Sequence, residues 1–195
     1  MTNQPNRPKP SNSSNIPLKS NNSISNNHQP NTSKSAALNP NIEKEMKDTI
    51  SSNELSSLKE YSIKKLVEQA KDFGYYLKDN KLETNQIRKF LDAINQLKSR
   101  LVQEDNDEIK KAKDEKEKEK LRFARIQDDI IFLQVKLTWS AARQKAAQPF
   151  CNVMSEAINK IHSTEDFYRL VQLIEAIIAY HKEAENKKTT THNRG

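Results

Sequence analysis

Apolar residues recur at helical spacing over most of the chain between Leu55 and Lys182, and that period predicts the elements. A first helix is expected over Leu55 to Leu77, with Leu55, Leu58, Ile63, Leu66, Val67, Ala70 and Phe73 on one face and Gly74 loosening its end. After the turn Lys78-Asp79-Asn80-Lys81, a second runs from about Asn85 to Val102, with Thr84 as its N-cap. Its stripe is Ile87, Phe90, Leu91, Ile94, Leu97 and Leu101. A long third helix covers Leu121 to Ala147, and Pro149 ends it and opens a fourth. The fourth carries Phe150, Val153, Met154, Ala157, Ile158 and Ile161. Ser163-Thr164-Glu165-Asp166 reads as the start of a last helix with acids in its first turn. Phe167, Leu170, Val171, Ile174, Ile177 and Ile178 line that helix, and His181 continues the stripe as a core histidine with its hydrogen bonds satisfied. The fold class is all-α, a compact bundle of about five helices with disordered N- and C-terminal tails.

The third helix organises this picture because it is apolar on two sides. Phe123, Ile126, Ile130, Leu133, Leu137 and Ala141 lie on one face, and Leu121, Ala124, Ile131, Phe132, Val135, Trp139 and Ala142 on another. A helix with two apolar faces is expected at the centre, with other helices packed on both and Trp139 buried. Between the faces runs a polar stripe of Arg122, Arg125, Lys136, Ser140 and Arg143, interrupted by Asp129. Cations on an otherwise buried helix are costly unless they meet water or an anion, so the stripe is the functional lead.

The flanks lack such periodicity. Met1 to about Asn41 is rich in Asn, Ser and Pro, carries Arg7, Lys9, Lys19 and Lys34 without an acid, and cannot form a core. Ile42 to Ser57 is ambiguous: Ile42, Met46, Ile50 and Leu55 could support a short helix, and Ser51-Ser52-Asn53 would break it. The domain reading is a disordered arm over residues 1–50, a helical bundle over 51–185 and a disordered tail over 186–195. Within the bundle, residues 103–120 form a charged extension, either projecting from the long helix or connecting to it. Its signs nearly cancel, which argues against phosphate binding there.

Composition narrows the function. A net charge of +7 over 195 residues permits a nucleic acid or another anionic partner. Gly74 and Gly195 are the only glycines, so no Walker loop, GxGxxG turn or GxSxG elbow can be written. Cys151 is alone, which excludes an internal disulfide and a cysteine metal cluster, and it reads as a small buried hydrophobe. Met154 reads as core filler rather than a ligand. The polar N-terminus has no apolar stretch of a secretory signal, and no run approaches the ~20 apolar residues of a membrane span. A soluble cytoplasmic protein with no cofactor is expected. Arg88 and Lys89 flank the exposed side of the second helix, where periodicity alone favours ordinary solvated charges over a site.

Three stretches resemble a known family. They are Leu82-Glu83-Thr84-Asn85-Gln86-Ile87-Arg88-Lys89-Phe90, Val135-Lys136-Leu137-Thr138-Trp139-Ser140-Ala141-Ala142-Arg143, and Phe167 through Glu175-Ala176-Ile177-Ile178-Ala179-Tyr180-His181-Lys182. In order and spacing they are similar to the small helical subunit of the type III-A CRISPR effector, the Csm complex, over about residues 55 to 182. Trp139 stands where that family has Tyr, and Ala142 where it has Gly. The resemblance implies a non-enzymatic bundle without metal or cofactor. Copies of it would stack as an inner filament beside the backbone ribonuclease subunits and the large subunit, touching the guide RNA–target RNA duplex through sugars and phosphates. It carries RNA contact to Arg88, Lys89, Lys136 and Arg143, expected to converge on one basic surface; the polar stripe adds Arg122 and Arg125. The chain has no RNA-recognition motif or KH loop, so base-specific reading is not expected. Two rivals stay open. One is a helical adaptor whose main partner is protein. The other is a metal-dependent nuclease using Asp128-Asp129, Asp105 and Asp107, although adjacent acids leave a helix on different sides.

Overall fold

The computed structural model describes residues 39–103 and 105–192, with side chains through residue 187. The described residues form seven α-helices rather than the expected five or so: α1 (Ile42–Ser51), α2 (Ile63–Asp79), α3 (Thr84–Leu101), α4 (Asp107–Lys110), α5 (Glu115–Arg143), α6 (Gln148–Asn159) and α7 (Thr164–His192). Short 3-10 turns precede α2 at Leu58–Glu60 and α6 at Lys145–Ala147. No helix among them is long and apolar enough to cross a membrane.

Local chemistry explains most boundaries. The Ser62 hydroxyl accepts from the Lys65 amide to start α2, and the Asp114 carboxylate accepts from the Glu117 amide to start α5. Pro149 sits in the first turn of α6, where its missing N–H costs nothing. α2 ends in a Schellman pattern: the Leu82 amide donates to Leu77 O and the Lys81 amide to Lys78 O, both at 3.0 Å. Lys81 occupies the left-handed position at φ 63°, where glycine is usual.

α2 and α7 form the centre of the bundle. Their axes approach closely at Gly74, where an added Cβ would lie 2.8 Å from the His181 amide nitrogen and 2.9 Å from the Tyr180 Cβ. Gly74 therefore permits helix contact and does not loosen the end of α2. α3 packs on α7 and α5, and α6 packs on α5 and α1.

Other sequence expectations are corrected as well. The boundary at residue 50 falls inside the fold, because Ile42, Met46 and Ile50 of α1 are all fully buried. The tail expected from residue 186 is helical through His192; residues 1–38 and 193–195, which the tail readings also covered, lie outside the described residues. Thr84 does not cap α3. Glu83 holds the cap position, and the Thr84 hydroxyl turns inward to donate to Glu185 Oε1 at 2.7 Å. The helix expected from Leu55 begins only at Ile63, after the 3-10 turn. Within the charged extension, residues 115–120 are the first turns of α5, and Ile109 of α4 is buried and anchors the connector.

His181 is buried without exposure, as its place in the stripe requires. Its Nε2–H donates to the Leu82 carbonyl at 2.8 Å, and Nδ1 faces the Thr84 hydroxyl oxygen at 3.1 Å. Burial pushes the imidazole pKa down, aided by Lys78 and Lys182, against the opposing pull of Leu82 O and Glu185. A depressed folded pKa means that the unfolded chain takes the proton first. This contribution is complete above the unfolded value of about 6.5 and is lost as pH falls toward the folded value. Chemical denaturation from about pH 7.5 to pH 5.5 should therefore show falling stability, with a flatter slope in His181→Gln.

Candidate nucleic-acid interface

α5 is an outer helix. α3 and α6 cover its first face, where Phe123, Ile126, Ile130, Leu133 and Leu137 are buried. No described residue packs over the second face: Ile131 and Phe132 are 58 % exposed, Val135 42 % and Trp139 68 %. The expectation of burial on both sides is thus overturned, and with it that of a buried Trp139. Trp139→Ala should change folding stability by no more than about 0.5 kcal/mol, as for surface substitutions generally. Trp139 is the only tryptophan, so a water-like emission maximum of the folded protein is the companion observation.

The polar stripe divides in two. In its N-terminal half the cations are tied into the protein. Arg122 grips Asp105 with two parallel bonds, Nε to Oδ1 at 2.9 Å and Nη2 to Oδ2 at 2.7 Å, and lies 3.6 Å from Glu115. That guanidinium holds the Asp105 carboxyl below its ordinary pKa, and Asp105 holds Arg122 above its own. Arg125 acts on the same carboxyl. Arg100 reaches across from α3 to the Asp129 carboxylate and donates to the Arg125 carbonyl at 2.7 Å. These residues clamp α3 and the 103–114 connector to α5. Two of the acids considered for a nuclease, Asp105 and Asp129, are thereby occupied.

In the C-terminal half the cations are open. Lys136 and Arg143 of α5 face Lys89 of α3 across a cleft of about 510 Å³. All three are exposed, and none forms an ion pair with another described residue. Phe90 and Phe150 meet edge to face at 5.7 Å between ring centroids and form the apolar floor. Gln86, Ser140 and Gln144 supply amide and hydroxyl groups along the walls, and Trp139 stands at one side.

Arg88 does not enter this cleft. One residue along α3 from Lys89, it lines a neighbouring groove with Lys78, Lys81, Lys182 and Glu185. Glu83 lines both spaces. The single basic surface expected from sequence is therefore two adjoining ones. Sequence reasoning passed over Lys78, Lys81, Trp139 and Gln144. Lys78 and Lys81 belong to the turn after α2, and no periodicity relates that turn to α3 or α7. Gln86 and Lys182 stand inside the stretches that carry the family resemblance.

Cys151 is buried, its thiol donates to Leu137 O at 3.2 Å, and burial pushes its pKa up to about 11, which fits an inert packing role. Among the described residues, no group of three or more His, Cys, Asp or Glu is arranged to hold a metal ion.

A family model described as Csm2 Type III-A matches residues 60–187. The chain belongs to the Csm2 Type III-A family. No curated protein and no solved structure matches it. Membership makes the chain a small subunit of the type III-A CRISPR complex, assembled with the other Csm components. The match begins in the turn before α2 and ends on α7, so it takes in both basic surfaces and the clamp around Arg122. α1 lies outside the matched residues although it contributes to the core.

Proposed function

We propose that this Csm2-family chain is a non-catalytic subunit that holds the guide RNA–target RNA duplex by its backbone, without reading sequence. The observation that carries the proposal is the cleft of Lys89, Lys136 and Arg143. Three exposed cations meet there on two rigid helices, whereas Arg122 and Arg100 are paired with acids. Such cations match phosphate and ribose oxygens in number and reach, and base pairing in a guided complex leaves the protein only this task. The groove of Arg88 adds a second basic surface beside it, and Arg122 and Arg125 are reassigned to holding the fold. Several copies stack as an inner filament along the RNA, beside the backbone ribonuclease subunits and the large subunit, in the cytoplasm. No cofactor takes part.

The adaptor reading keeps a limited place. The uncovered side chains of Ile131, Phe132 and Val135 suit contact with a neighbouring subunit or a second copy. The test compares assembled complexes that carry the unaltered chain or Lys89→Ala with Lys136→Ala and Arg143→Ala. Loss of RNA retention with intact subunit composition supports the RNA reading. Unchanged RNA retention makes the protein contact the main function.

A further inference from the structure

We propose that the cleft between α3 and α5 receives one unpaired nucleotide of the bound RNA, with its base stacked on the Trp139 indole. This rests on the RNA-binding reading above and names what the cleft itself takes. The first observation is the cost of the arrangement. The largest apolar side chain in the protein is 68 % exposed, beside a core that buries Phe90 of α3 and Phe150 of α6. The indole shares its face of α5 with the exposed Ile131, Phe132 and Val135, and an apolar patch of that kind marks a binding surface.

Its position says what covers it. Trp139 is three residues after Lys136 and four before Arg143, so the ring stands between the two cations on one side of α5. An apolar peptide segment would have to desolvate those charges, and a nucleotide brings the phosphate that neutralises them. The cleft, about 510 Å³, falls within the range of small-ligand sites, whereas a duplex can only lie across its mouth. Gln86, Gln144 and Ser140 offer donors and acceptors to a base edge in any of its patterns. Paired bases keep their faces inside the stack, so only a nucleotide turned out of it presents a face to the indole. Stacking on an aromatic ring tolerates every base, which agrees with a protein that reads no sequence.

The sole tryptophan is its own reporter. The full-length chain is titrated at low salt with three RNA probes: a fully paired duplex, the same duplex with one bulged nucleotide, and one of its single strands. The expected result is strong quenching of indole fluorescence, and tighter binding, for the bulged and single-stranded probes. Trp139→Ala should remove that preference, by about 5- to 150-fold, while leaving the salt dependence unchanged. Trp139→Phe should keep part of it. Equal quenching by the paired duplex, or a preference that survives in Trp139→Ala, overturns the proposal. So does a Trp139→Ala variant that binds every probe normally but fails to assemble with its partner subunits, which would assign the ring to a protein contact. Lys136→Ala with Arg143→Ala separates the two layers. If that pair lowers the salt dependence while Trp139→Ala does nothing, the backbone reading stands and the nucleotide site falls. If no probe binds the unaltered chain, both fall.

Discussion

Replacing Lys136 and Arg143 together with alanine should weaken RNA binding by the assembled complex to a similar degree for every guide sequence. The two side chains leave α5 seven residues apart, two helical turns, and face Lys89 across the cleft. Neither has an acid partner among the described residues, so their removal takes nothing from the bundle that another group must replace. Each lost phosphate contact should lower the slope of log affinity against log salt concentration by about 0.7–0.9, or about 1.4–1.8 for the pair. The isolated subunit should unfold at nearly its original midpoint. Arg122→Ala should behave in the opposite way. It leaves the half-buried Asp105 carboxylate without its partner and loosens the connector, so stability falls while the salt slope of RNA binding holds. Filter binding at several salt concentrations, beside thermal unfolding of each variant, separates these outcomes. An unchanged slope in the double variant would show that the cleft does not meet phosphate.

Asp166→Ala should be the most damaging single substitution in the fold. Asp166 opens α7 and is buried without exposure. One carboxylate oxygen accepts from the Ser57 hydroxyl and from the Lys59 amide at 2.8 Å; the other accepts from the His162 amide at 3.0 Å and the Ser163 hydroxyl at 2.8 Å. This one side chain ties the 3-10 turn before α2 to the start of α7, more than a hundred residues away in sequence. Burial works against its ionisation, but the hydrogen bonds from Ser57, Lys59, His162 and Ser163 outweigh it and hold the carboxyl below its ordinary pKa. Alanine leaves those donors facing a void, at a cost of at least about 3 kcal/mol. For a domain of this size the thermal midpoint should then fall by roughly 6–12 °C. Asp166→Asn should recover only part of the loss, because an amide group turns a donor toward donors. The sign of the acid dependence follows from the lowered pKa: the contribution is present above the unfolded value of about 3.9 and is lost as pH falls through the folded one. A midpoint within about 2 °C of the unaltered protein would refute the central role given to this carboxylate.

The sequence by itself determined the elements and one side of each. The stripes on α3, α6 and α7 point inward as their period requires, as do Leu66, Ala70 and Phe73 of α2, whereas Ile63 and Val67 of the expected α2 face are exposed. Pro149 opens α6, and His181 is the buried core residue that its place in the stripe implied. The three stretches that resembled the Csm small subunit led to the family shown by the match over residues 60–187. Tertiary structure alone decided the fate of α5. Its two apolar faces are equivalent in the pattern, since periodicity records which residues share a side but not whether the chain has another helix left to cover it. α3 and α6 take the side of Ile126 and Leu133, and nothing among the described residues packs over Phe132 and Trp139. The same reason applies to the cations. Arg122 and Arg143 occupy one stripe, and only the path of the connector, which carries Asp105 back to α5, makes the first an anchor and leaves the second open. Pairing across long sequence separation has no local signal. It arises from the packing of distant segments, which also brought α1 into the core with Ile42, Met46 and Ile50.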